Sequence, residues 1–345
     1  MPSFGNDYLS GCHPAILERL IHSNLEQTPG YGLDPYCESA RAKIRSAIGS
    51  QAADVHFLVG GTQTNAAVIA HILRPHQGVI AAESGHIATH ETGAIEASGH
   101  KVLALLAADG KLGAQQVQDF IEQYYATSPI KEHIVQPGMV YVSQPTELGT
   151  AYSQAELAAL SQVCHRHGLP LFVDGARLGY ALHPEVSDLT LPALAELADV
   201  FYIGGTKCGA LFGEAVVITN PTLQPHFRAT IKQHGGLLAK GRLLGIQFDT
   251  LFTGNLYQTI CHSAIAHARC IRQAFEGRGI AFYGASATNQ QFPILPEAQA
   301  AYFIREFGFA AYWPAESGRQ IVRYCTSWAT TESDVDTLLH AIQHL

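Results

Sequence analysis

The chain has 345 residues, of which 47% are hydrophobic and 14% charged, so it is long for one domain, short for three, and able to bury a sizeable core. Its formal charge of −8 argues against a nonspecific nucleic-acid binder or a protein that binds acidic membranes. No run of about 18 apolar residues occurs, and "MPSFGNDYLSG" lacks a basic segment followed by an apolar core, so neither a membrane span nor a signal peptide is expected.

Seven cysteines without a CxxC pair point to free thiols in a reducing cytoplasm, with no zinc site or disulfide framework expected. The 18 histidines are scattered, so no single one is informative by itself.

In chain order, the first 40 residues carry few regular signals and are expected to wrap a neighbouring chain or the active site. From there, apolar runs of about five residues alternate with helical patterns. "VHFLV" (55–59) precedes "TQTNAAVIAHIL", "GVIAA" (78–82) precedes "ETGAIEAS", and "KVLALL" (101–106) precedes "GAQQVQDFIEQYYA". "MVYVS" (139–143) precedes "SQAELAALSQVCHRHG", where Ser153 and Glu156 form a capping box and Gly168 follows a basic end. "PLFVD" (170–174), "VFYIG" (200–204) and "AVVIT" (215–219) complete seven strands. Continuous apolar runs suit strands covered on both faces, so the pattern predicts an α/β domain with a mostly parallel seven-stranded sheet between helices.

Beyond "TNPTLQPHF" the texture becomes mainly helical over 225–277. Short strand candidates follow at "IAFY" (280–283) and "RQIVRYCTSW" (319–328), then a final helix in "TESDVDTLLHAIQ". The predicted organisation is an N-terminal segment over 1–44, a large α/β domain over 45–224, and a helical connection with a smaller α+β C-terminal domain over 225–345.

Three places lie where ligands bind in open parallel sheets, at the carboxyl ends of strands. In "LVGGTQTNAA", Gly61 and Thr62 follow a strand and open a helix. That is a phosphate cradle built from free N–H groups and a hydroxyl, or else a tight turn capped by the threonine. Asp174 ends a buried strand and needs a partner. It pairs with Arg177, or it holds the protonated ring nitrogen of a cofactor.

Lys207 stands in "GGTKCGA". It is a snorkelling lysine, or a desolvated amine that attacks carbonyls, and its small neighbours offer little surface to snorkel along. Together a cradle, a buried aspartate and a lysine match pyridoxal 5′-phosphate. His86, after the "GVIAA" strand, is the candidate to lie flat on its ring, with His90 and Glu91 as nearby alternatives.

These motifs run nearly end to end. With "SFGNDYLSGCHPAILERL", "YGLDPY", "ESGHIATHETGA", "FVDGARLGYA", "GGTKCGALFGEAVV" and "VRYCTSWATTESDVDTLL", the chain resembles the threonine aldolase and β-eliminating lyase family, pyridoxal-phosphate enzymes of fold type I. The resemblance implies Lys207 as the Schiff-base lysine and Asp174 as the pyridinium partner, with Arg177 near the ring. It also implies Gly61 and Thr62 as phosphate ligands and His86 as the stacking ring. Arg323 would be the arginine that grips a substrate carboxylate.

Asn6 falls where the family commonly has a serine near the substrate, and Tyr31 and Asp34 match a motif at the edge of the site. The implied reaction cleaves a β-hydroxy-α-amino acid to glycine and an aldehyde, with β-elimination or amino transfer as the alternative. Homodimers or homotetramers with interfacial sites are implied as well. A basic residue from "KQHGGLLAKGR" reaching the neighbour's phosphate is a further expectation. One departure stands out. Where the family carries "ENTHN", this chain reads "VSQPTELGT", in which Glu147 is either an acid/base group or a structural carboxylate.

Overall fold

The structure, a computed structural model, describes residues 1–127, 130–314 and 317–345. The first 40 residues, read as nearly featureless, hold two capped helices. Helix α1 (Pro14–Ser23) and α2 (Pro35–Ala47) each open on a proline, and the Asp34 side chain accepts from Cys37 N at the start of α2. Proline at the first helical position behind a capping aspartate was the missed signal.

The large sheet contains β1 (Asp54–Leu58), β2 (Gln77–Ala82), β3 (Lys101–Leu105), β4 (Gln136–Ser143), β5 (Leu171–Asp174), β6 (Val200–Gly204) and β7 (Glu214–Ile218). Its order is β1-β7-β6-β5-β4-β2-β3, and only β7 runs against its neighbours. Between the strands lie α3 (Gly61–Ile72), α4 (His86–Thr89), α5 (Ala94–Ala97), α6 (Ala114–Ala126), α7 (Gln154–Arg166), α8 (Leu178–Ala181) and α9 (Leu191–Leu197). The Ser153–Glu156 capping box opens α7 as the sequence predicts. Alternate strand residues enter different cores. Val140, Val142 and Val173 join one, while Met139, Tyr141 and Phe172 join the other. Both faces are therefore dry, which is why the strands read as unbroken apolar runs.

Helices α10 (Phe227–Gln233), α11 (Arg242–Leu251) and α12 (Leu256–Gly277) lead to a second, small antiparallel sheet. That sheet contains β8 (Gln290–Gln291), β9 (Ile294–Pro296), β10 (Ala310–Pro314) and β11 (Arg319–Cys325), with α13 (Glu297–Phe307) and α14 (Glu332–Gln343) beside it. Its aromatic core includes Phe275, Phe303, Phe309 and Tyr324. The expected strand at 280–283 is absent. Phe282 makes a single bridge to Pro293, and Phe275 packs against its ring in an edge-on contact. Among the described residues, no helix is long and apolar enough to cross a membrane.

Candidate active site

The ends of β1, β2, β4, β5 and β6 meet the start of β7 at one edge of the large sheet, around a cavity of about 270 Å³. Two glycines bring the elements this close. A Cβ on Gly175 would overlap the Tyr202 carbonyl, and one on Gly204 would overlap the Ala176 carbonyl. Without them, Gly204 N donates to Gly175 O at 2.9 Å. The Asp174 turn and the strand leading to Lys207 are thereby pressed together.

Asp174 is 3% exposed, and four donors hold it. Tyr202 donates to Oδ1 and Tyr141 to Oδ2, each at 2.5 Å. Asn65 reaches Oδ2 at 3.1 Å, and Ala176 N reaches Oδ1 at 3.0 Å. Burial alone would raise its pKa. The nearby His86 and these hydrogen bonds outweigh it and hold the carboxyl below its usual range. The expected pairing of Asp174 with Arg177 is not formed. Arg177 binds Asp7 through Nε at 2.6 Å and Nη2 at 3.0 Å, and Asn289 supports Asp7 at 2.9 Å. Arg177 still lines the cavity.

Lys207 opens onto the cavity from the β6–β7 turn. No group among the described residues accepts a hydrogen bond from its amine. Burial lowers its pKa, and Arg177 lowers it further. Its backbone is fixed by Tyr180, whose hydroxyl donates to Lys207 O at 2.6 Å. Lys207 is half-buried on the cavity wall.

On the β1 side, α3 starts at Gly61 with no side-chain cap at Gly60, so the expected threonine cap is absent. The exposed Thr62 faces the cavity instead. Thr64 N already bonds Gly60 O. The N–H groups of Gly61, Thr62 and Gln63 precede the first helical donor, Thr64 N, and among the described residues are left for a ligand.

His86 begins α4 and lines the cavity. Its Nδ1 donates to Glu91 at 2.8 Å. Asn65 bonds the same Glu91 oxygen at 2.7 Å and so links this pair to Asp174. Burial would lower the imidazole pKa, but the Glu91 bond and Asp174 raise it overall. His90 lies against His86, ring centroids 5.5 Å apart.

Glu147 also lines the cavity. Its Oε1 accepts from Ser143 at 2.7 Å and from His86 N at 2.9 Å. Burial raises its pKa, the Ser143 bond opposes this, and Asp174 adds to the rise.

The remaining expected residues lie elsewhere. Arg323, on β11, donates to Asn6 at 2.6 Å and to Gly5 O at 3.1 Å, and its buried Nε has no partner among the described residues. Neither Arg323 nor Asn6 lines the cavity itself. Tyr31 is exposed in a separate shallow pocket, under the Lys232 ammonium. Asp34 caps α2. Arg242 is tied to Glu26 O and Asn24 O, away from this chain's cavity.

Sequence reasoning missed Asp7, Asn65, Tyr141, Tyr202 and Glu214. The two tyrosines carried a signal, since a hydroxyl in an otherwise apolar buried strand requires a partner. Asn65 carried the same kind of signal in "TNAAVIA".

A mostly parallel sheet with a lysine, an aspartate and a helix N-terminus gathered at one edge is the frame of a fold type I enzyme. The chain belongs to the beta-eliminating lyase family, whose model matches residues 4–297. It is 32% identical to the low specificity L-threonine aldolase of Pseudomonas aeruginosa, over 99% of this chain and 96% of that one. A solved threonine aldolase from Leishmania major is 44% identical, with a TM-score of 0.96 over 100% of this chain and 99% of that one. A methionine aminotransferase from Escherichia coli is only 15% identical yet reaches a TM-score of 0.75, over 99% of this chain and 93% of that one. This last likeness concerns the fold alone.

Proposed function

We propose that the protein is a pyridoxal-phosphate-dependent aldehyde-lyase of the threonine aldolase type. It cleaves a β-hydroxy-α-amino acid of the L-threonine or L-allo-threonine class to glycine and an aldehyde. The observation that carries this reading is the convergence of Lys207, Asp174 and the open α3 N-terminus on one cavity.

The residues present fit the cofactor. Three free N–H groups await an anion at Gly61, Thr62 and Gln63. A Cβ added at Gly60 would meet nothing within 4 Å, so the cradle opens onto empty space. Asp174 is held in its ionised form, as a partner for a ring N–H requires. Lys207 Nζ has no hydrogen-bond acceptor among the described residues. When bound, the cofactor supplies an electron sink for a bond breaking at the substrate α-carbon.

The chain's own residues then divide the work. Gly61 and Thr62 would hold the phosphate, and Arg177 lines the cavity that would receive the rest of the cofactor. His86, its ring fixed through Glu91, provides a flat face. Lys207, its pKa lowered, supplies a neutral amine more readily than an exposed lysine does. Arg323 binds the substrate α-carboxylate, with Asn6 holding its guanidinium.

Glu147, raised by burial, takes the proton from the β-hydroxyl and stands in for the absent histidine. Tyr31 lies outside its own chain's cavity and serves a neighbouring subunit's substrate. Exposed apolar side chains at Leu9, Leu17, Ile21, Leu25, Tyr31 and Leu33 support a homodimer or homotetramer. Seven free cysteines support a cytoplasmic location.

Incubation with L-threonine, L-allo-threonine and a β-substituted alanine tests the reaction. Glycine and acetaldehyde are expected from the first two. Ammonia and a keto acid as the main products would sink the aldolase reading in favour of elimination. Glu147→Gln should lower kcat about 100-fold or more with little change in cofactor content, the loss typical for a removed proton-transfer group.

A further inference from the structure

Glu214 is a buried carboxyl that the reaction above does not use. It is 3% exposed and opens β7, facing Leu58 on one side and Gly204 on the other. Leu58 leads into the open N-terminus of α3, and Gly204 leads to Lys207. Thr206 Oγ1 donates to Glu214 Oε1 at 3.0 Å, and Gly205 N reaches Oε2 at 3.3 Å. Gly213 N donates to Thr206 Oγ1 at 3.0 Å, which closes the turn. Glu214 lines the same cavity as Thr62, Thr206 and Lys207.

An anion seated at the α3 N-terminus therefore meets a second anion unless Glu214 carries a proton. The other charged or titratable groups facing it are Lys207 from the β6–β7 turn, Asp174 from β5 and Tyr202 from β6. The cavity-lining residues on the β1 side, Val59, Gly60, Gly61 and Thr62, bring no charge. Burial pushes the Glu214 carboxyl up to about 8 against the opposing pull of Lys207 and Thr206, so it is already poised to hold a proton.

We propose that Glu214 takes up a proton from solvent when the cofactor phosphate binds at the α3 N-terminus, so that cofactor binding is proton-linked through this residue. The proton goes to Oε2, the oxygen with the longer hydrogen bond. This rests on the pyridoxal-phosphate reading. By linkage, binding is strongest below the free-state value and weakens as pH rises through it.

The test uses pyridoxamine 5′-phosphate, which carries the phosphate but has no aldehyde to react with Lys207. From about pH 7 to about pH 9, its affinity for the wild-type protein should fall about tenfold more than its affinity for Glu214→Gln. Calorimetry in buffers of different ionisation enthalpy at the upper pH should register close to one additional proton taken up by the wild type. Thr206→Val removes a donor that favours the ionised carboxylate, and should move the fall to higher pH.

Equal slopes and proton counts in wild type and Glu214→Gln would place the proton on another group and overturn the proposal. So would an unmoved profile in Thr206→Val, which decides the matter if Glu214→Gln does not fold. Failure of the wild type to bind the probe at any pH would overturn the cofactor reading itself, and the proposal with it.

Discussion

At the scale of single residues, the site depends on how Asp174 is kept ionised in a dry environment. An isolated carboxylate at 3% exposure would take a proton, but four donors prevent it. Burial holds the two tyrosine hydroxyls well above their usual range, which keeps them protonated as donors near neutral pH. Tyr202→Phe removes one charge-assisted bond, worth about 1.5–3 kcal/mol. The expected outcome is at least about tenfold weaker cofactor binding with the fold intact, measured by titration of the apo-protein and by circular dichroism. Lys207, Asp174, Thr62 and His86 were legible because each follows an apolar run at a motif position. The tyrosines sat inside such runs, where a sequence does not say which face a side chain takes until both faces have neighbours.

At the scale of elements, helices α1, α2 and α11 are tied by one buried aspartate. Asp249 on α11 receives Arg19 from α1 and Lys43 and Ser39 from α2, the last two at 2.5 and 2.6 Å. Burial would raise its pKa, but the bonds to Lys43, Ser39 and Arg19 outweigh it and lower it overall. A carboxyl depressed in the folded state contributes fully above its unfolded pKa. That contribution is lost as pH falls through the folded value.

Asp249→Ala should cost about 1–3 kcal/mol near neutral pH, discounted for the solvent that reaches both cations. The difference from wild type should shrink below about pH 4, which thermal melts across pH would read. Neither α1 nor α2 was read from the sequence. Asp34 and Pro35 carried the local signal for α2, but the surrounding "YGLDPYC" reads as a loop motif, and tertiary contacts through Asp249 complete that signal.

At the scale of the whole molecule, the position of Tyr31 is informative. It is exposed and separated from its own chain's cavity, among apolar side chains that face outward. If a neighbour's Tyr31 completes each site, mixed oligomers of Lys207→Ala and Tyr31→Ala chains should recover activity that neither has alone. Rates that stay at the sum of the two separate variants would show that Tyr31 plays no part across an interface.

The sequence by itself determined the class of fold, because dry faces on both sides of a sheet force unbroken apolar strands and helical crossovers between them. It also singled out the lysine, aspartate and helix start that the fold gathers around one cavity, because each sits at the end of such a strand. Only the tertiary structure decided that Arg177 belongs to Asp7 and that Asn65 couples Asp174 to Glu91. These partners are far apart along the chain and no local pattern joins them. It alone also decided that β7 runs against its neighbours, which brings Glu214 to the cavity edge. A strand's apolar pattern is the same in either direction, so its sense, and with it which end faces the site, is settled only by the neighbours it pairs with.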